Sequence, residues 1–328
     1  MADIKVSVII PIYKVEPFIK RCVVSLMEQT LDNVEYIFVD DATPDNSIQL
    51  LNEAIASYPN RKEQIQIVHH EVNKGLPAAR NTGLEIVQGE YIFHCDSDDY
   101  IEPDMLEKLY RKAEETDADM VWCDWFLSFE KNERYMKQPD FHSPMDALKG
   151  VLCGTMKYNV WNKLVKRSLY QDHNIIFPSG HGMGEDMTMI RLLACAHRVA
   201  YLPEAFYHYV KLNIHALTQT YSDRHLQDVQ YNVNETVNYL ETKYSNDLQQ
   251  ELAWFKLNVK LPFIISDKKE DYERWKAWYP EANPFIWRNK LQSFRIRLVQ
   301  WMAWKKQWWF VWLYYKLVYK LIYGVIYR

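Results

Sequence analysis

Cysteine is sparse and unpatterned. The five residues Cys22, Cys95, Cys123, Cys153 and Cys195 are odd in number and contain no C-x-x-C pair, which argues against a disulfide framework and favours a reducing compartment. The opening Met-Ala-Asp-Ile-Lys lacks the charged n-region, long apolar stretch and cleavage site of a secretory signal. No Ser-His-Asp triad, zinc-ligand spacing or Walker loop is present, and Gly83 and Gly89 do not make a dinucleotide fingerprint. The overall charge of -4 hides a further absence: residues 285–328 hold nine Lys plus Arg and no Asp or Glu. Residues 1–284 therefore carry 30 basic and 43 acidic groups, a net -13 that argues against a nucleic-acid partner.

What is present reads as a globular α/β chain with no internal repeat or low-complexity linker. Lys5-Val-Ser-Val-Ile-Ile-Pro-Ile-Tyr13 is a nearly continuous apolar run, as expected of a parallel strand buried on both faces, and Pro11 marks its end. Residues 15–29 place Phe18, Cys22 and Leu26 at helical spacing. Strands follow at 35–41, 65–69, 91–95 and 120–126, with helices at about 47–58, 77–87 and 104–116 between them. This alternation implies a mostly parallel sheet flanked by helices. Residues 128–143 read as a polar surface excursion, 177–184 as a glycine-rich mobile loop, and 185–196 as a helix carrying both acids in its first turn. Short strands at 199–202 and 206–209 precede an aromatic-rich helical addition. The expected organisation is a catalytic domain over 1–220, that addition over 221–284, and a basic aromatic tail over 285–328.

The chain is organised around Tyr91-Ile-Phe-His-Cys-Asp-Ser-Asp-Asp99, an apolar run that ends in three carboxylates. The carboxyl ends of strands in an open α/β sheet are where such folds bind ligands. If the extended geometry persists, Asp96 and Asp98 project to one side and share a hard cation, Mg²⁺ or Mn²⁺. The alternative is a solvated acidic turn before the helix that Pro103 and Asp104 open. A calcium loop is excluded, because the sixth position counted from Asp96 is Ile101 where glycine is required. The same sheet edge receives Tyr13, Asp40, Asp41, Arg80 and Asn81. Carboxylates suit base-edge and ribose contacts, an arginine suits a diphosphate, and a cation bridges both. Together they describe a nucleotide-diphosphate site.

Val6-Ser-Val-Ile-Ile-Pro-Ile-Tyr13, Val39-Asp-Asp-Ala-Thr-Pro-Asp-Asn-Ser47, Asn73-Lys-Gly-Leu-Pro-Ala-Ala-Arg-Asn-Thr-Gly83, Asp96-Ser-Asp-Asp99, Trp161-Asn-Lys-Leu164 and Gly184-Glu-Asp186 occur in an order that resembles the family-2 glycosyltransferases of GT-A fold. The resemblance spans about residues 5–219 and implies an inverting transferase that uses a nucleotide-sugar donor. It implies a Rossmann-like sheet and a donor site of Pro11, Tyr13, Asp40, Asp41, Arg80, Asn81 and Asp96, with the Asp40–Asp41 pair reading the base, usually uracil. It implies Mn²⁺ or Mg²⁺ on Asp96 and Asp98, and a catalytic base from the Glu185–Asp186 pair, with Asp186 the first candidate. The chain departs from the family in having Asp-Asp-Ala-Thr where Asp-Asp-Gly-Ser is commoner. Glu185 and Asp186 alternatively only complement a helix dipole, which would lower the pKa of Asp186. His208 is either a third metal ligand or a packing residue, and Trp161 and Lys163 either line the acceptor side or hold their segment in place.

The tail has an apolar run, 308–315, far short of the ~20 residues needed to span a bilayer. On a helical wheel Lys305, Lys306, Lys316, Lys320 and Arg328 gather on one arc with aromatic and aliphatic residues opposite, the pattern of an interfacial helix. A core-docking helix and a tilted span are the alternatives. The sequence therefore points to a cytoplasmic enzyme, peripheral at the inner face of the cell membrane, acting on a saccharide or lipid-linked acceptor in bacterial surface polysaccharide or glycolipid assembly. A nucleotide-sugar-binding protein without turnover and a nucleotidyltransferase are the competing readings.

Overall fold

The computed structural model describes residues 4–213 and 222–318. It divides into two compact units, Met1–Ala147 with Tyr158–Thr236, and Leu148–Lys157 with Val237–Arg328. The boundary expected near residue 220 thus falls inside the first unit, which takes in 222–236 of the expected addition, while 237–284 share the second with 285–318 of the expected tail.

The first unit is built on a nine-stranded sheet in the order β3-β2-β1-β4-β8-β6-β9-β5, with β7 paired to β6. The strands are β1 (Val6–Ile12), β2 (Val34–Asp40), β3 (Ile65–His69), β4 (Tyr91–His94), β5 (Tyr100–Ile101), β6 (Met120–Ser128), β7 (Glu133–Met136), β8 (Lys163–Lys166) and β9 (Val199–Val210). Six of the nine run in one direction, so the expected mostly parallel α/β sheet is observed. Its helices are α1 (Ile19–Met27), α2 (Ser47–Ile55), α3 (Leu76–Ile86), α4 (Met105–Thr116), the start of α5 (Pro144–Cys153), α6 (Arg167–Asp172), α7 (Thr188–Cys195) and the first part of α8 (Asp223–Tyr244). Every residue of β1 and β2 is buried, which is why these strands read as unbroken apolar runs rather than alternating ones. The chain steps outward from β1 to β2 to β3 and then returns to place β4 on the other side of β1. That reversal opens a crevice beyond the carboxyl ends of β1 and β4.

Three elements differ from what the sequence suggests. Pro11 lies inside β1 rather than at its end. β4 pairs only as far as Ile9–His94, so no ladder partner is lost, and the Pro11 carbonyl accepts the Ser97 hydroxyl at 2.6 Å. The polar excursion contains β7, a hairpin partner of β6. The two short strands near residue 200 are one strand, β9, whose parallel register with β6 shifts around Asp124. A bulge there lets it continue past the proline and acid at 203–204 that suggested a break.

Close approach explains two glycines. A Cβ on Gly83 would stand 2.5 Å from the Ile9 side chain, so α3 lies directly against β1. One on Gly89 would stand 2.6 Å from the Ser7 backbone nitrogen, where the Gly89 amide donates to Ser7 Oγ and to the buried Glu35.

The second unit contains the rest of α5 and α8, with α9 (Gln249–Lys260), α10 (Lys269–Ala277), a 3₁₀ segment Pro280–Arg288, α11 (Phe294–Trp304) and α12 (Trp308–Tyr314). The single amphipathic tail helix expected from the sequence is not what forms: the backbone turns at Lys306 (φ 58°), between α11 and α12. Ile286 is buried with Cys153, Ala253, Trp254, Leu257 and Ala282, and Phe285 and Trp301 pack on them. Trp308 stacks on Tyr272 with ring centroids 5.1 Å apart, and Lys316 pairs with Asp267 at 2.9 Å. One tail cation, Lys316, therefore has an acidic partner that the tail's own sequence does not supply. Lys320 and Arg328, which complete the sequence-derived arc, lie outside the described residues. No described helix is long and apolar enough to cross a membrane.

Because backbone, not a flexible tip, meets the added methyl, Gly89→Ala should lower stability by about 1–3 kcal/mol. Thermal denaturation checks this; an unchanged Tm would mean that β1 can yield at Ser7.

Candidate active site

Beyond β1, Tyr13 is 41% exposed, and Lys14 takes a left-handed φ of 54° while its amide donates to Thr43 Oγ1 at 2.8 Å. The loop after β2 is held from within. Asp45 Oδ1 accepts from the Thr43 hydroxyl and from both the amide and hydroxyl of Ser47. Ala42 sits at φ 54°, where a side chain costs roughly 1–2 kcal/mol relative to glycine, and this is the position at which the sequence departs from the pattern it resembles.

The two acids that end this strand have different surroundings. Asp41 is consumed internally: Oδ1 faces His70 Nδ1 at 2.7 Å and accepts the Lys74 amide at 2.7 Å, while Oδ2 accepts the Gly75 amide at 2.8 Å. It thereby fixes the Asn73-Lys-Gly turn, in which Gly75 has φ 89° and opens α3. Asp40 accepts the Thr43 amide and meets His69 Nδ1 at 2.9 Å, and that imidazole is 56% exposed. Asp40 and His69 thus stand at the rim and Asp41 beneath it.

Arg80 and Asn81 emerge from α3. Arg80 is 1% exposed, and its Nη2 lies 3.1 Å from Asp96 Oδ1 and 3.9 Å from both Glu185 Oε1 and Asp186 Oδ1. Its Nε and Nη1 are buried without a partner. The guanidinium is thus directed at carboxylates, whereas the sequence suggests a diphosphate. Asn81 exchanges hydrogen bonds with the Phe177 backbone, both at 2.8 Å, and donates to Ser179 Oγ at 3.0 Å. It fastens the start of the glycine-rich loop.

After β4 the backbone does not stay extended. Asp96 through Asp99 form a turn closed by the Asp99 amide on the Asp96 carbonyl. Asp99 is fully buried and accepts the Tyr207 hydroxyl and the Val210 amide, both at 2.7 Å. It braces the turn, leaving Asp96 and Asp98 as the acids with capacity for a ligand. Asp98 accepts from Asn213 at 2.8 Å, and burial together with the neighbouring Asp96 charge raises its pKa to about 6.

Glu185 and Asp186 lie in a 3₁₀ turn, Glu185–Met187, ahead of α7, introduced by Gly184 at φ 84°. Burial raises both carboxyls, Glu185 to about 8 with the Asp186 charge adding to the rise, and Asp186 to about 6 against the opposing pull of Arg80. The lowering expected from a helix dipole is therefore reversed, because desolvation outweighs the dipole. Asp186 Oδ1 is buried with no hydrogen-bond partner. Lys163, fully buried on β8, donates to the Asn159 carbonyl at 2.7 Å and to Asn162 Oδ1 at 2.9 Å, and burial pulls its pKa down to about 7 despite the Asp186 charge. Trp161 is buried and stacks on Tyr207 (4.5 Å, 17°) and Tyr209 (5.3 Å, 13°), so it anchors its segment.

His208 does not join the acids. Its Nε2 meets Glu102 at 2.9 Å and its Nδ1 meets Glu133 at 2.7 Å, with Tyr100 stacked on the ring at 4.1 Å. Both ring nitrogens face these carboxylates, the arrangement expected of the packing alternative. Among the described residues no three His, Cys, Asp or Glu side chains converge on one point as a metal site. The donor chemistry nevertheless suits a hard cation. Asp96, Asp98, Glu185 and Asp186 outnumber the one guanidinium among them, and burial together with this unbalanced negative charge raises the pKa values of the last three. Sequence reasoning missed Tyr207 and Asn213, which reach the Asp96–Asp99 turn from more than 100 residues away and carry no local motif.

Residues 7–188 match the family model described as Glycosyl transferase family 2. Over 235 residues the chain is 33% identical to the uncharacterized glycosyltransferase EpsJ of Bacillus subtilis, covering 68% of this chain and 66% of EpsJ, just under two thirds of that relative. The S. aureus TarS 1-349 structure in complex with UDP-GlcNAc matches with a TM-score of 0.70 at 21% sequence identity, over 95% of this chain and 91% of that one. Mannosyltransferase PcManGT from Pyrobaculum calidifontis, in complex with GDP-Man and Mn²⁺, matches with a TM-score of 0.53 at 15% identity, over 96% of this chain and 88% of that one. The acids at the switch of the sheet, the ordered motifs and the matched family model lead to one conclusion: the chain belongs to glycosyl transferase family 2 and is built on a GT-A fold.

Proposed function

We propose that the chain is an inverting glycosyltransferase that moves a sugar from a nucleoside-diphosphate donor, a UDP-sugar, to an acceptor hydroxyl. The observation that carries this reading is the half-buried Asp186 carboxyl, whose Oδ1 is enclosed without a hydrogen-bond partner and whose pKa is raised to about 6, in the same charge cluster as Asp96. Asp186 takes the proton of the acceptor hydroxyl as that oxygen bonds to the anomeric carbon. The bond to the diphosphate breaks on the opposite face, so the configuration inverts. A pKa near 6 suits the task, since the group is ionised at neutral pH yet more basic than an ordinary aspartate. Arg80 holds Asp96 and the Glu185–Asp186 turn in register from beneath. Asp40 with His69 at the rim is the station for the base, and Tyr13 offers its exposed ring beside it. A Mn²⁺ or Mg²⁺ ion on Asp96 and Asp98 would supply charge neutralisation for the departing diphosphate. The TarS complex with UDP-GlcNAc and the PcManGT complex with Mn²⁺ support a nucleotide-sugar donor and a divalent cation on this fold.

The acceptor is a saccharide or lipid-linked saccharide in bacterial surface polysaccharide or glycolipid assembly, reached at the inner face of the cell membrane. The five buried free cysteines are compatible with a reducing compartment. On α12, Val311 turns inward, while Trp309 is 64% exposed and Trp312 and Leu313 point outward beside it, with Leu317, Trp304 and Phe294 also exposed. An apolar helix face turned to solvent, in a stretch whose exposed residues include Lys305, Lys306 and Arg295, is suited to an anionic bilayer surface, where each cation near it contributes about 1 kcal/mol.

Asp186→Asn should bind donor normally but lose transfer by about 10²-fold or more. In the wild type, kcat/KM should fall as pH drops through about 6, because the base is lost by protonation, and the substitution should remove that limb. Wild-type rates in this variant would eliminate Asp186 as the base. Asp98→Ala should abolish cation-dependent donor binding; equal thermal shifts from UDP-GlcNAc with Mn²⁺ and with chelator, in variant and wild type alike, would refute a cation on Asp98. For the surface, the full chain should sediment with anionic but less with neutral vesicles, and Trp309→Ser with Trp312→Ser should reduce that binding several-fold without loss of fold. Undiminished sedimentation of this double variant would place the contact elsewhere.

A further inference from the structure

The base in the mechanism above sits at the end of a loop with little to hold it. Between Phe177 and Gly184, positions 180 and 182 are glycines at which an added Cβ would meet nothing within 4 Å. Asn81 secures the start of the loop. Its end is secured by α8, an element with no motif of its own. Asp228, Tyr231 and Asn232 are spaced i, i+3, i+4 and so share one helix face. The His181 ring stacks on Tyr231 with centroids 3.7 Å apart and planes 12° apart, and its Nδ1 meets the buried Asp228 at 3.2 Å. Asn232 is buried and its Nδ2 donates to the carbonyls of Met183 at 2.6 Å and His181 at 3.3 Å. Met183 precedes Gly184, and a Cβ on Gly184 would stand 3.6 Å from that of Asn232. The amide therefore grips the backbone two residues before the catalytic pair begins its turn.

We propose that Asn232 is a positioning residue for the Glu185–Asp186 pair: through two carbonyls it sets where the 3₁₀ turn starts, and so where the Asp186 carboxylate stands relative to Arg80 and the acceptor hydroxyl. Asp228 and Tyr231 support it by clamping His181. A misplacement of a catalytic group by about 1 Å is enough to cost on the order of 10²-fold in rate. The inference rests on Asp186 being the base, and the test separates the two.

Full-length Asn232→Leu, Asp186→Asn and the double variant are compared with wild type in UDP release from UDP-GlcNAc with Mn²⁺, alongside UDP-GlcNAc affinity and Tm. Asn232→Leu should lower kcat at least 10-fold with donor affinity within about twofold, and Asn232→Gln, which keeps the amide, should recover part of the loss. The double variant should be no slower than Asp186→Asn alone, because Asn232 acts through that carboxylate. An Asn232→Leu enzyme with wild-type kcat, or losses that multiply in the double variant, would overturn the proposal. A fully active Asp186→Asn would instead overturn the assignment of the base. Should the leucine variant not fold, Asn232→Ser, which is small, polar and too short to reach both carbonyls, takes its place: a 10-fold loss of kcat supports the proposal and a wild-type kcat overturns it.

Discussion

One buried guanidinium is the constraint on which the candidate site of the first unit depends. Removing an ion from water costs several kcal/mol, and Arg80 recovers that cost by facing Asp96, Glu185 and Asp186 together. Those acids come from the end of β4 and from a turn almost 90 residues further on. Their meeting at Arg80 requires α3 to lie close against β1, which Gly83 permits at Ile9. The compensation is incomplete, with three carboxyls facing one guanidinium, and burial raises the pKa values of Glu185 and Asp186.

The acids of the site divide by how fully they are satisfied. Asp41, Asp45 and Asp99 have their oxygens filled by backbone amides, hydroxyls or an imidazole, and they shape loops. Asp40, Asp96 and Asp186 are less completely satisfied or more open, which is why the ligand-facing roles are proposed for them. A buried carboxylate with all its hydrogen bonds made is rigid and unreactive, while one left short stays available. Two acids adjacent in sequence, such as Asp40 and Asp41, or Asp98 and Asp99, thus serve different ends.

The second unit applies a similar division to aromatic residues. Phe285 and Trp301 pack against a buried cluster, whereas Trp309 and Trp312 face outward. Composition cannot separate these groups, and the turn at Lys306 is what allows one aromatic-rich stretch to close a core and present a surface.

The alternation of strands and helices from β1 through α4 to β6, the parallel character of the sheet and the positions of Asp40, Asp96, Asp98 and Asp186 were legible in the sequence, because apolar period and strand-end polarity are local properties; β5, β7, β8, α5 and α6 were not read from it. The continuous β9 was not, because a bulge opposite Asp124 absorbs an interruption that reads locally as a break. Nor was the helix break in the tail, since a left-handed lysine has no compositional mark. Roles that depend on distance belonged to the tertiary structure alone. It turned Arg80 toward carboxylates, gave both nitrogens of His208 to Glu102 and Glu133, and brought Tyr207, Asn213 and Asn232 to loops far away in the chain. The sequence determines which groups arrive at the sheet edge; burial and partnership, fixed only when the chain closes, determine which of them remain free to act.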